Sequence, residues 1–152
     1  MMHKIIFSVI LLSSFLLAQE MRVSFETGDD DINQHLNEVN AYAKAEYQFF
    51  KKDLSLKFGI STRDVDRFIY DEKVRPGDLY YACTMSNVTG KRVNDVLVLY
   101  KEKQGWGAVA QEYGIKPGSK EFHRLKGKSI SGIGKVKSKH WNNGKMKSRG
   151  KK

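Results

Sequence analysis

Ser119 and His123 stand one helical turn apart, the spacing at which an imidazole could take a proton from a hydroxyl and turn it into a nucleophile. No third group follows to orient that imidazole. Ser119 reads more simply as a helix N-cap, and His123 as a partly buried polar residue. A metal site needs clustered ligands, whereas His35, His123 and His140 stand apart and the chain has neither His-Glu-x-x-His nor a pair of cysteines. Asp29, Asp31 and Asn33 alternate as a calcium loop begins. Its sixth position is Gln34 where a glycine is needed, and its twelfth is Asn40 where a glutamate is needed. The acidic run therefore reads as a helix cap. Cys83 has no partner for an internal disulfide and lies in an apolar stretch, so it reads as a buried, inert thiol. Asn87-Val88-Thr89 matches a glycosylation acceptor, but Thr89 is already used as a helix cap. No catalytic constellation, cofactor or metal emerges, and the chain reads as non-enzymatic.

What remains is charge. The formal net charge is +10, from 27 Lys or Arg against 17 Asp or Glu. Lys126 to Lys152 holds ten of the basic residues and no acid, so the rest of the chain is neutral. Attraction to a polyanion should thus lie on the tail, through Lys135, Lys137, Lys139, Lys145, Lys147, Arg149, Lys151 and Lys152. Trp141 among them adds stacking or interfacial insertion. The plainer reading is a solvated extension. Ten like charges without one acid repel each other and favour a counter-polymer: envelope polysaccharide, lipid head groups or nucleic acid.

Stepping along the chain, Lys4 precedes a largely apolar run, Ile5 to Leu17, with small Ala18 and polar Gln19-Glu20 after it. That is the layout of a secretory signal peptide over 1–18, too short for a bilayer span. The expected compartment is outside the cytoplasm, secreted or periplasmic. A connector follows over 19–28, where Val23 and Phe25 are placed to dock.

The helical domain is expected over 29–126. Asp29-Asp30-Asp31 opens a long helix with Ile32, Leu36, Val39, Ala43, Tyr47, Phe50, Leu54 and Phe58 on one face and Gly59 as its stop. Ser61 caps a second helix that buries Val65, Phe68 and Ile69. Asp78 caps a third, with Leu79, Tyr80, Ala82, Cys83 and Val88. Thr89 caps a fourth, with Val93, Val96, Leu97 and Tyr100. Trp106, Val109, Ala110 and Tyr113 form the inward face of a fifth. Gly105 and Gly107 let the backbone turn and the indole pack. Ser119 caps a sixth, with Phe122 and Leu125 inward. No stretch alternates as a strand should, so the fold class is all-α: one domain of about six helices, followed by a disordered basic tail over 127–152.

The segment Gly105-Trp106-Gly107, Ala110, Gly114 to Ser119, Phe122-His123 and Leu125-Lys126, with Arg75-Pro76-Gly77-Asp78 and Thr89-Gly90-Lys91 before it, resembles a group of small, uncharacterised bacterial secreted proteins. They pair a helical domain with a Gly- and Lys-rich tail. The resemblance implies compartment and fold, and carries no activity. The same segment also suggests a helix-turn-helix over 106–126. Ala110 and Gly114 have its spacing, and Lys120, His123, Arg124 and Lys126 are available to a groove. Lys120 stands where such motifs bury an apolar residue, and an exported protein does not meet cytosolic DNA. Nucleic-acid binding through this segment and the tail is the alternative function. Trp106, His123 and Arg124 are the candidate surface site on the domain.

Overall fold

The Asp29 carboxylate accepts the Ile32 N–H (3.0 Å) and starts α1, Asp30–Ala45, as its acidic opening requires. The structure, a computed structural model, describes residues 24–131. The expected signal peptide over 1–18 and the tail from 132 on lie outside the described residues.

The long first helix is two helices. Glu46 leaves helical geometry (φ −139°, ψ 54°), and α2 runs over Tyr47–Phe58. The apolar spacing passes through Glu46 without a break, so periodicity could not show the bend. Tertiary contacts hold it. Tyr42 donates its hydroxyl proton to Asp53 Oδ2 at 2.7 Å. In an unbroken helix their α carbons would be about 16 Å apart. The Tyr42 and Phe50 rings also meet edge to face at 6.4 Å. Gly59 ends α2 with φ 71°, as anticipated.

Ser61 caps α3, Thr62–Asp66, by accepting the Asp64 N–H. The chain then widens into a π turn over Arg67–Asp71. Tyr47 and Lys51 of α2 both bond Asp66 and hold this short element against the longer one.

The centre of the fold is α4, Pro76–Thr89, in which Gly77 to Met85 are all buried. A helix that is apolar or aromatic around its circumference belongs inside. It packs against α1, α2, the π turn, α5 (Val93–Lys103) and α7 (Lys120–Ile130). Two capping assignments change here. Pro76, not Asp78, opens α4, with Arg75 at the N-cap position, and Asp78 is drawn into the core. Thr89 is the last residue of α4, its hydroxyl donating to the Met85 carbonyl, and Gly90 (φ 73°) ends the helix. Arg92 takes the N-cap position of α5.

Helix α6, Trp106–Glu112, is short and leads through Gly114 and Pro117 to Ser119, which accepts the Phe122 N–H and caps α7. The connector's last residues are part of the fold, because Phe25 is fully buried. Gly107 donates its N–H to the Glu26 carbonyl at 2.7 Å, and a methyl group at Gly107 would lie 3.1 Å from that oxygen. The two glycines around Trp106 therefore admit the entering chain, more than they free a turn.

Among the described residues the protein is all-α, with seven α-helices and no strand. The helical region extends further than the expected boundary at Lys126: α7 continues through Ile130 and buries Ser129.

Candidate functional site

Asp78 is the most enclosed charged group of the domain, its side chain 4 % exposed. Arg75, three residues earlier, donates to both carboxylate oxygens, at 2.5 and 3.2 Å. Trp106 Nε1–H donates to Oδ1 at 2.8 Å. The guanidinium also reaches the Tyr100 hydroxyl at 3.0 Å and lies over the Phe25 ring. Tyr100 stacks flat on Trp106 with centroids 4.2 Å apart, and Tyr81 meets the indole edge to face. A buried carboxylate is tolerable only when its lone pairs are bonded and a cation is near. Here both conditions are met from three elements and the entering chain, so this is a structural lock joining α4, α5, α6 and Phe25.

Trp106 therefore leaves the candidate surface site. It has no exposed surface, whereas His123 and Arg124 are exposed on α7. Arg124 donates to the Val88 carbonyl in the last turn of α4, where a cation meets the negative helix end. Lys126 bonds Asp29 and Asp31, at 2.7 Å each. Two of the four side chains proposed for a nucleic-acid groove are thus tied to the protein itself. Lys120 and His123 remain open beside Glu121. The Ser119 hydroxyl is engaged as a cap, and His123 meets the Phe122 ring edge to face.

Cys83 is buried, and that burial pushes its thiol up to about 12, so it is a thiol and not a thiolate at neutral pH. Among the described residues no three His, Cys, Asp or Glu side chains gather as metal ligands, and no helix is long and apolar enough to cross a membrane. Asn87 is exposed and accepts from Lys128 Nζ at 2.9 Å.

No family model, curated protein or solved structure matches the chain.

The geometry most relevant to the basic tail is at its root. Tyr80 of α4 donates its hydroxyl proton to the Ser129 carbonyl at 2.7 Å. Lys57 of α2 donates to that hydroxyl at 2.7 Å and to the Lys128 carbonyl at 3.2 Å. Its ammonium also lies over the Phe58 and Tyr80 rings, at 5.0 and 4.8 Å. Although Lys57 as a residue is exposed, its amine is partly buried. Burial pushes that amine down to about 8, with the charge of Lys128 adding to the effect. The last turn of α7 is thus held by two other helices, and the chain leaves the domain at a fixed place beside α1. Ile130, Asp31, Gln34, His35 and Glu38 line an open cleft of about 320 Å³ there.

Sequence reading missed this root because Gly127, Lys128 and Ser129 have the composition of the tail. The available signal was Ser129 four residues after Leu125, on the same helix face. The tail residues named as polymer ligands, Lys135 to Lys152 with Trp141, lie outside the described residues.

Proposed function

We propose that this is an exported, non-enzymatic helical domain whose cationic C-terminal tail binds an anionic polymer or surface. The observation that carries the reading is the partition of charge. Residues 24–131 hold 17 Lys or Arg and 16 Asp or Glu, while 132–152 holds eight Lys or Arg and no acid. Within the domain seven of those 17 cations pair with acids of the same domain. Lys51 pairs with Asp66, Arg67 with Asp64 and Glu72, Arg75 with Asp78, and Arg92 with Asp95. Lys101, Lys103 and Lys126 find Glu72, Glu112 and the Asp29–Asp31 pair in the same way. The net positive charge is therefore concentrated in the tail, +8 over 132–152 (8 − 0) against +1 over 24–131 (17 − 16), and a polyanion is its natural counterpart.

Export is supported by the basic start, the apolar run and the small residue before Gln19. The likeness to small secreted bacterial proteins points the same way. The test is fractionation of cells expressing the full-length chain, with the product's N-terminus read by mass spectrometry. A product beginning near Gln19 outside the cytoplasm is the expected result. Intact Met1 in the cytosol contradicts export. It would bring forward the second reading, nucleic-acid binding through 106–126 and the tail, whose support is the exposed Lys120 and His123 on α7.

A further inference from the structure

We propose that the first part of the tail, residues 132–139, docks on the acidic face of α1, so that the tail's root lysines are held by the domain when no external polyanion is present. Residues 29 to 43 contain four acids, Asp29, Asp30, Asp31 and Glu38, and no Lys or Arg. The only cation bonded to the three aspartates among the described residues is Lys126, which takes Asp29 and Asp31. Asp31 and Glu38 keep 72 % and 52 % of their side chains exposed, so much of this charge stays open to solvent. They share one face, seven residues or about 10 Å apart along the helix.

The cleft on this face is bounded by Ile130, a large apolar side chain left 37 % exposed at the end of α7. His35 lines the same cleft. It is nine-tenths buried, and its Nε2 finds no hydrogen-bond partner. The face is thus charged, partly apolar and, among the described residues, without a covering element.

The occupant follows from where the chain goes. It leaves the described residues at Ser131, next to Ile130, and continues Gly-Ile-Gly-Lys-Val-Lys-Ser-Lys. Ile133 is two residues past Ser131, within reach of the apolar rim. Lys135, Lys137 and Lys139 alternate with Val136 and Ser138. In an extended chain alternate side chains share one side, about 6.7 Å apart. From Ser131 an extended chain reaches about 14 Å by Lys135. Three lysines over about 13 Å match a pair of carboxylates about 10 Å apart. The remaining five cations, Lys145 to Lys152, follow the proposed docking stretch in sequence.

The contact is electrostatic and solvent-exposed, so it is weak and sensitive to salt. The test uses the full-length chain in nitrogen-15 amide NMR spectra at low salt. It compares wild type with the variant Lys135→Ser/Lys137→Ser/Lys139→Ser. Docking predicts shift changes at Asp31, Gln34, His35, Glu38 and Ile130, and addition of about 0.5 M NaCl to wild type should reproduce them. Glu38→Gln, on the helix surface, should weaken the same contact. Limited trypsinolysis supplies a second readout. Cleavage after Lys135 and Lys137 should be about threefold slower than after Lys145 and Lys147 at low salt, and equal to it at high salt. Unchanged α1 amides in the triple variant would overturn the proposal, as would changes gathered instead around Glu112 and Glu121. Uniform cleavage along the tail at low salt would do the same.

Discussion

Trp106 and Asp78 show how a single side chain can be read for the wrong role. Trp106 is expected both on the inward face of its helix and in the candidate surface site; it lies inward, and its indole N–H closes the shell of a buried carboxylate. Trp106→Phe keeps most of the packing and removes that donor. It should cost about 1–3 kcal/mol, the usual penalty for leaving a buried acceptor short of a partner, and urea denaturation measures it. Arg75→Met is the more severe change. It leaves the Asp78 carboxylate enclosed without its cation and should cost about 3 kcal/mol or more. Equal stability of the two variants would contradict the lock.

His35 gives the second prediction at this scale. Burial lowers its imidazole below the ordinary value of 6.5, against a smaller upward pull from Glu38, while Lys57 lowers it further. The unfolded chain therefore binds the proton more readily than the folded one. His35's contribution is complete above about pH 6.5 and is lost as pH falls through the lowered folded value. Thermal melts between pH 7 and 5 should show that loss, and His35→Gln should flatten it. An unchanged slope in the variant would assign the pH dependence elsewhere.

At the scale of elements, the fold depends on how closely α1 approaches the start of α4. A methyl group added at Gly77 would lie 2.7 Å from the Leu36 carbonyl oxygen and 2.8 Å from the Phe25 ring. The Gly77 N–H already donates to Asn40 Oδ1 at 2.8 Å, so the helices have little freedom to part. Gly77→Ala should destabilise by about 1–3 kcal/mol despite alanine's better helix propensity. A neutral or stabilising result in chemical denaturation would mean that α1 and α4 cross more loosely than these distances require.

Much at this scale was legible beforehand. The stripe from Ile32 to Leu54, the Ser61 and Ser119 caps and the Gly59 stop all follow from local chemistry, and the structure has them. The misses share one cause. The bend at Glu46, the burial of Asp78 and the extension of α7 to Ile130 each depend on partners distant in the chain: Tyr42 with Asp53, Asp78 with Trp106, Tyr80 with Ser129. Periodicity and capping rules see neighbours three or four residues away and cannot register such pairs. The candidate site is the least legible part, because residue type points to Trp106 and Arg124 while their partners, Asp78 and the Val88 carbonyl, decide their roles.

For the whole molecule, the domain is close to neutral and the excess charge lies beyond it, at 132–152. Binding to a polyanion should therefore behave as counterion release from a short cationic strand. The most direct measurement is the affinity of the full-length protein for long-chain polyphosphate as salt is varied. With eight tail cations engaged, log K should fall against log salt with a slope of about −5 to −6. Replacing Lys145, Lys147 and Arg149 with serine should reduce that slope by about 2, while Lys120→Ser on α7 leaves it nearly unchanged. A slope near zero would contradict the cationic-tail account. So would a slope that moves with Lys120 and not with the tail, which would return binding to the helical segment.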